Sequence, residues 1–173
     1  MIKKNIVIIG MMAAGKTTIG FKLAKKLKFQ FIDVDYKIEK NEKEKIIDIF
    51  KNKGELYFRK VEEKTTLYYL DRSNCVISIG GGAFLNPKIR KKIKKTSNSV
   101  WLNWKFDTIL GRISKNKRRP LALNLSKTEL AIMFKERVKI YKLSDFKVNC
   151  EAKNKNEIIK EILRIITNEN NSN

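Results

Sequence analysis

The chain has 173 residues and 42% hydrophobic content, enough for one domain with one sizeable core and too little for a second. Its formal charge is +21, but only eight of its 39 basic residues are Arg, and the lysines are scattered with Asn and Ile through every segment, without the exposed aromatics that nucleic-acid surfaces interleave with their charge. That pattern excludes nucleic acid as the expected partner, and the lack of any run near the roughly 18 apolar residues of a membrane span excludes a membrane protein.

The opening MIKKNIVIIGMMAAG mimics a secretory leader, yet cleavage would cut the small-residue loop at its end, so a cytoplasmic, monomeric, single-domain protein over residues 1–173 is expected. Cys75 and Cys150 lie in apolar surroundings without metal or redox spacing and read as buried free thiols.

In chain order, the β-branched run Asn5–Ile9 predicts a strand, and Lys16–Lys28, with Ile19, Leu23 and Leu27 on one side, predicts a helix. Between them lies GMMAAGKTT, in which Gly10, Gly15, Lys16 and Thr17 satisfy G-x-x-x-x-G-K-[ST]. Small residues there, including Ala13 and Ala14, let backbone N–H groups approach phosphate oxygens; Lys16 supplies a point charge, and Thr17 and Thr18 open the helix. Strand, loop and helix in this order predict a nucleoside triphosphate site. A second strand, Phe29–Val34, ends in FIDVD and places Asp33 and Asp35 two apart on one side of an extended chain. Beyond the carboxyl end of a parallel strand, the pair can hold a Mg²⁺ water and meet an acceptor hydroxyl, or can cap the helix that follows.

Helices are predicted over Tyr36–Glu42, Lys45–Lys51 and Gly54–Asp71. The last begins GELYFRKVE, where Glu62 stands at i+3 from Arg59 and either holds the guanidinium ready for a substrate carboxylate or belongs to a surface ladder with Glu55. Strand Cys75–Ile79 runs into Gly80-Gly81-Gly82, which can expose backbone amides to a ligand and adopt conformations other residues avoid. Pro87–Lys94 suits a helix with Pro in its first turn; Ser99–Asn103 is a strand and Phe106–Lys115 a helix. The basic segment Ser114–Ser126, containing Arg118, Arg119 and Pro120, predicts a flexible loop. Helix Ser126–Lys142 starts on a capping box with Glu129, and strand Phe146–Cys150, helix Asn156–Ile166 and a fraying tail complete the chain. Five strands alternating with helices predict a parallel α/β sheet. Arg59, Arg112, Arg118, Arg119 and Arg137, five of the eight arginines, fall in motifs around one cleft, which points to two anionic groups.

GMMAAGKTT, DVD, GELYFRKVE, IGGGAFL and RRPL, in this order, resemble the shikimate kinase family over almost the whole length. The resemblance implies a three-layer α/β/α, nucleoside-monophosphate-kinase-like fold with a five-stranded parallel sheet, a substrate-binding helical region near 35–62, a lid near 112–125 and a disordered tail near 168–173. It implies transfer of the ATP γ-phosphate to shikimate, with Mg²⁺, in the chorismate route to aromatic amino acids. Carried over residue by residue, it assigns Lys16 to the β- and γ-phosphates, Thr17 to Mg²⁺ and Asp33 to a metal-bound water. Asp35 meets the shikimate hydroxyls; Arg59 and Arg137 clamp its carboxylate; Gly80, Gly81 and Gly82 donate amides; Phe50 and Phe58 wall the ring. Arg119 reaches the transferring phosphate, and Arg112 stacks on adenine. Ala13 stands where the family usually has Gly, Ser78 where Thr is common, and the segment after Cys150 matches no adenine-loop pattern.

Overall fold

In the computed structural model, residues 5–115 and 125–171 are described. Arg118, Arg119 and Pro120 of the expected lid lie outside them. Strand β1 (Asn5–Ile9) leads through the phosphate loop into α1 (Lys16–Leu27), followed by β2 (Gln30–Asp33), α2 (Val34–Glu42) and α3 (Ile46–Leu70). Then come β3 (Cys75–Ser78), a 3₁₀ turn (Ala83–Leu85), α4 (Pro87–Thr96), β4 (Ser97–Asn103) and α5 (Phe106–Ser114). Helix α6 (Lys127–Tyr141), β5 (Phe146–Asn149) and α7 (Lys155–Asn171) complete the order.

The five strands form one parallel sheet in the order β2-β3-β1-β4-β5. Strand β1 is central, and its residues Ile6 to Ile9 are at most 1% exposed, as the continuous apolar run of a strand covered on both faces requires. Each such side chain contributes about 1.5–3 kcal/mol by burial. Chain order turns from one side of β1 to the other between β3 and β4, which creates the crevice where parallel sheets bind ligands, and the phosphate loop leaves β1 at that point. Helix α1 packs against α7, whose Ile158, Ile159, Ile162 and Ile166 are buried. Helices α3 and α4 pack together with the 3₁₀ turn.

Several boundaries differ from the sequence expectation for identifiable reasons. Strand β2 stops at Asp33 because the Asp33 carboxylate accepts from the Tyr36 N–H at 3.2 Å and starts α2; Asp35 therefore lies in the first turn of a helix, not on an extended strand. Strand β4 begins two residues early, at Ser97, since Ser97, Asn98 and Ser99 are polar yet buried and Ser99 is held by the Asp145 carboxylate. The two helices expected around Gly54 run on as α3, broken at Gly54 itself (φ 81°, ψ 168°), a conformation essentially reserved for glycine. Helix α7 continues to Asn171, five residues past the predicted end and into the segment expected to fray, its apolar stripe extending as far as Ile166.

Other local signals appear as read. Ser126 and Glu129 form the reciprocal capping box, and Asn86 caps α4 with Pro87 at its first position. Both cysteines are free and buried; burial pushes the Cys150 thiol up to about 12.

Candidate active site

The phosphate loop wraps its own lysine. Lys16 is buried, and its ammonium donates to the Gly10 and Met11 carbonyls, each at 3.0 Å. Ala13 sits at φ 62°, the left-handed region that a side chain enters at a cost, which is the physical price of having Ala where Gly is usual. Around this loop lies a cavity of about 370 Å³ lined by Lys16, Thr17, Thr18, Asp33, Asp35 and Arg112, with Ala13, Gly15 and Ser78. Thr17 Oγ1 donates to Asp33 Oδ2 at 2.6 Å, so the carboxylate that caps α2 also meets the start of α1. Capping and a ligand role are compatible, because the two interactions use different oxygens of Asp33.

A second cavity, about 780 Å³, is lined by Arg59, Glu62, Gly82, Met133 and Arg137 among others. Arg59 is fixed there on three sides. Its Nη1 donates to Glu62 Oε2 at 2.7 Å, its Nε and Nη2 to Glu55 Oε1 at 3.2 and 3.1 Å, and its guanidinium lies over the Phe58 ring at 5.2 Å. Burial opposes the Arg59 charge, but Glu62 and Glu55 more than offset it and hold the guanidinium above its ordinary value. Burial pushes the Glu62 carboxyl, only 3% exposed, above the usual carboxylate range; Asp35 nearby adds to this, while Arg59 and Arg137 oppose it. Both rungs of the GELYFRKVE ladder are present: Glu55 is the exposed one and Glu62 the buried one. Phe58 is buried and Phe50 half-buried; they stack on each other at 4.6 Å, with Arg59 over both rings.

The glycine triplet lies against charged residues of both cavities, and the conformational part of the expectation for it is not met. None of Gly80, Gly81 and Gly82 has a positive φ, so conformational freedom is not why they are glycines. A Cβ on Gly80 would collide with Glu62 Oε1 and lie 2.9 Å from Asp35 Oδ1. One on Gly81 would lie 3.1 Å from Arg137 Nη1, and one on Gly82 2.6 Å from Arg59 Nη1. The triplet gives each of four charged side chains room to converge on one turn. Tyr141, fully buried, donates its hydroxyl to the Gly81 carbonyl from below, and burial pushes that hydroxyl up to about 12, so it remains a donor.

A third cavity, about 680 Å³, continues from the phosphate loop between Trp104, Arg112 and the segment Lys153–Asn156. Sequence reasoning missed that segment: it is a short polar stretch after Cys150 with no periodicity, and only the fold brings it beside Arg112. Of the predicted residues, Ala13, Gly15, Lys16, Thr17, Thr18, Asp33, Asp35 and Arg112 line the first cavity, Arg59, Gly82 and Arg137 the second, and Ala14 the third; Gly80 and Gly81 sit against Asp35, Glu62 and Arg137, Gly10 accepts from Lys16, and Phe50 and Phe58 line none of the three. Arg119 lies outside the described residues.

Known proteins carry the same pattern. The family model for shikimate kinase matches residues 12–167. The shikimate kinase of Persephonella marina is 39% identical over 160 residues, covering 92% of this chain and 97% of the relative. The solved structure of the shikimate kinase from Acinetobacter baumannii, in complex with shikimate, superposes with a TM-score of 0.90 at 30% identity, over 96% of this chain and 94% of that one. A gluconokinase from Sinorhizobium meliloti superposes at 0.60 with 15% identity, over 96% and 93% of the two chains, and shares the fold alone.

Proposed function

The chain belongs to the shikimate kinase family, and from that membership we propose that it transfers the γ-phosphate of ATP to the 3-hydroxyl of shikimate, giving shikimate 3-phosphate and ADP. The observation that carries this reading is the place of Asp35. It lines the phosphate cavity with Lys16 while its Oδ1 lies against Gly80, beside Glu62 and next to the turn shared with Arg59 and Arg137. An alcohol held there has a phosphate pole on one side and a carboxylate clamp on the other.

In this mechanism Lys16 leaves the loop carbonyls for the β- and γ-phosphates, and Arg59 and Arg137 grip the substrate carboxylate. The substrate oxygen attacks the γ-phosphorus as the bond to the β-bridging oxygen breaks, and Asp35 orients the hydroxyl and takes its proton. The chain has no histidine, so the commonest general base is absent, and Asp35 is the carboxylate placed between the two poles. Arg119, from the lid, neutralises charge on the transferring group. The hydroxyl of Thr17 and the carboxylate of Asp33, joined at 2.6 Å, are hard oxygen donors of the kind Mg²⁺ takes, Thr17 directly and Asp33 through a water. When bound, the ion neutralises charge on the β- and γ-phosphates. No described helix is long and apolar enough to cross a membrane; a monomer in the cytoplasm, supplying the chorismate route, is the setting this reading implies.

A coupled ADP-release assay on shikimate, quinate, gluconate and nucleoside monophosphates tests the activity. Shikimate- and Mg²⁺-dependent turnover is expected, with no comparable rate on gluconate, because each site group left unpaired by a wrong substrate costs roughly 1–3 kcal/mol. Equal rates on every sugar acid would refute the reading. The clamp has its own test in Arg59→Lys, which keeps the charge but loses the planar fork. Calorimetry should show weaker shikimate binding with ATP affinity unchanged; undiminished shikimate affinity would remove Arg59 from the site.

A further inference from the structure

Trp104 and Arg112 form a stacked pair at the mouth of the phosphate loop. The Arg112 Cζ lies 3.7 Å from the centroid of the indole, well inside the distance of about 6 Å over which a cation is drawn to an aromatic face. Each partner is also tied to the loop. Trp104 Nε1–H donates to the Ala14 carbonyl at 3.0 Å, and Arg112 Nη1 donates to the Ala13 carbonyl at 3.3 Å. The indole follows directly on β4 and packs inward near Met11, Ile109 and Phe134. Helix α5, which carries Arg112, is held at its start by Glu151, whose carboxylate accepts from the Lys105 N–H at 2.7 Å and the Thr108 hydroxyl at 3.1 Å. Two independently anchored elements therefore bring these planes together.

Arg112 lines both the phosphate cavity and the 680 Å³ cavity that continues from it, while Trp104 lines only the latter. The guanidinium thus stands where a nucleoside joins its phosphates. One of its two faces is covered by the indole, which leaves the opposite face for a planar base. A long, flexible side chain held flat before the ligand arrives loses less freedom on binding, and that difference appears as affinity.

We infer that Trp104 is a positioning residue for the nucleotide base: it holds Arg112 flat so that a purine entering the larger cavity stacks on the far face of the guanidinium. The inference rests on the nucleotide reading of the Gly10–Thr18 loop and concerns base recognition, not phosphate transfer. It explains why a large aromatic side chain, with its N–H committed to a loop carbonyl, is placed at the edge of a solvent-open cavity.

The test compares ADP with inorganic tripolyphosphate, which has no base, by calorimetry on wild type, Trp104→Leu, Trp104→Phe, Arg112→Ala and the Trp104→Leu/Arg112→Ala double variant. Trp104→Leu should weaken ADP binding about 2- to 13-fold, the cost of ordering one long side chain on binding. Tripolyphosphate affinity should stay within about twofold, which also shows that the loop is folded, and Trp104→Phe should recover part of the ADP affinity. In the Arg112→Ala background, Trp104→Leu should have little further effect, because the indole acts through the guanidinium. Indole emission should respond to ADP in wild type and lose that response in Trp104→Phe, where Trp101 remains. Unchanged ADP affinity in Trp104→Leu overturns the inference while leaving the kinase reading intact. So does fully additive loss in the double variant, which would have Trp104 meeting the base itself, or an equal loss for tripolyphosphate, which would make Trp104 a support of the loop. Wild type that bound no ADP would remove the nucleotide reading as well.

Discussion

Asp35→Asn is expected to lower turnover about 10²- to 10⁴-fold, the range over which a positioned general base accelerates proton transfer. Asn has nearly the same shape and still hydrogen-bonds a hydroxyl, but it cannot accept the proton the hydroxyl gives up. The residue sits in the first turn of α2, where the helix dipole favours the ionised carboxylate that the role requires. The loss should not come from damage to the fold. Asp35 raises the proton affinity of buried Glu62 by like-charge repulsion, so its neutralisation removes one unfavourable interaction from the site. Single-turnover kinetics with saturating ATP and shikimate, beside a denaturation curve, separate these effects. Turnover within about threefold of wild type would take the proton from Asp35 and give it to the transferring phosphate or to solvent.

The second large effect is steric. Gly82→Ala adds a methyl group 2.6 Å from Arg59 Nη1 and 2.9 Å from its Cζ, closer than side-chain atoms approach one another. Arg59 cannot move aside cheaply, because Glu62 and Glu55 hold its nitrogens and Phe58 lies beneath it. The guanidinium must shift by a large fraction of an ångström, and misplacing a positioning group by about 1 Å can cost on the order of 10²-fold. Shikimate kcat/KM is therefore expected to fall by about that factor, with ATP binding preserved. Gly111→Ala provides the matched control: its Cβ would meet nothing within 4 Å, and within α5 the change should add up to about 1 kcal/mol of stability. Wild-type efficiency in Gly82→Ala would show that the clamp tolerates movement and that Arg59 is not what orients the substrate.

What could be read from the sequence follows from how local each signal is. The phosphate loop, the capping box at Ser126 and the buried run Ile6–Ile9 each write their structure within a few consecutive residues, and each appears as expected. For the glycine triplet, the expected need for unusual backbone conformations is not met, and a second reason for glycine, room for charged side chains, is not written in the sequence. Its meaning lies in side chains that approach from α2, α3 and α6, and no spacing along the chain records that Gly82 faces Arg59 or that Gly81 faces Arg137. The apolar run through Val34 extends the expected strand and puts Asp35 on an extended chain, whereas one side-chain bond from Asp33 starts the helix at Val34. Strand β4 begins with buried Ser and Asn, which no apolar pattern detects. The Lys153–Asn156 wall and the role of Trp104 left no local trace, since both depend on β4, α5 and the start of α7 meeting above the loop.

The two halves of the site hang from mechanically unequal supports. The phosphate loop springs from β1, which is hydrogen-bonded to β3 on one side and β4 on the other. Asp33 ends β2, an edge strand paired among the described residues with β3 alone; Asp35 follows in α2, and the arm continues into α3 as far as the break at Gly54. Bending a sheet at its margin disrupts one ladder of bonds; bending it at the middle disrupts two. The phosphate loop is thus seated on a strand braced on both sides, and Asp35, the residue proposed to meet the acceptor hydroxyl, on an arm braced on one. If Asp35 meets the acceptor hydroxyl as proposed, adjustment toward the second substrate can be made at the edge of the sheet without moving the strand that carries the phosphate loop.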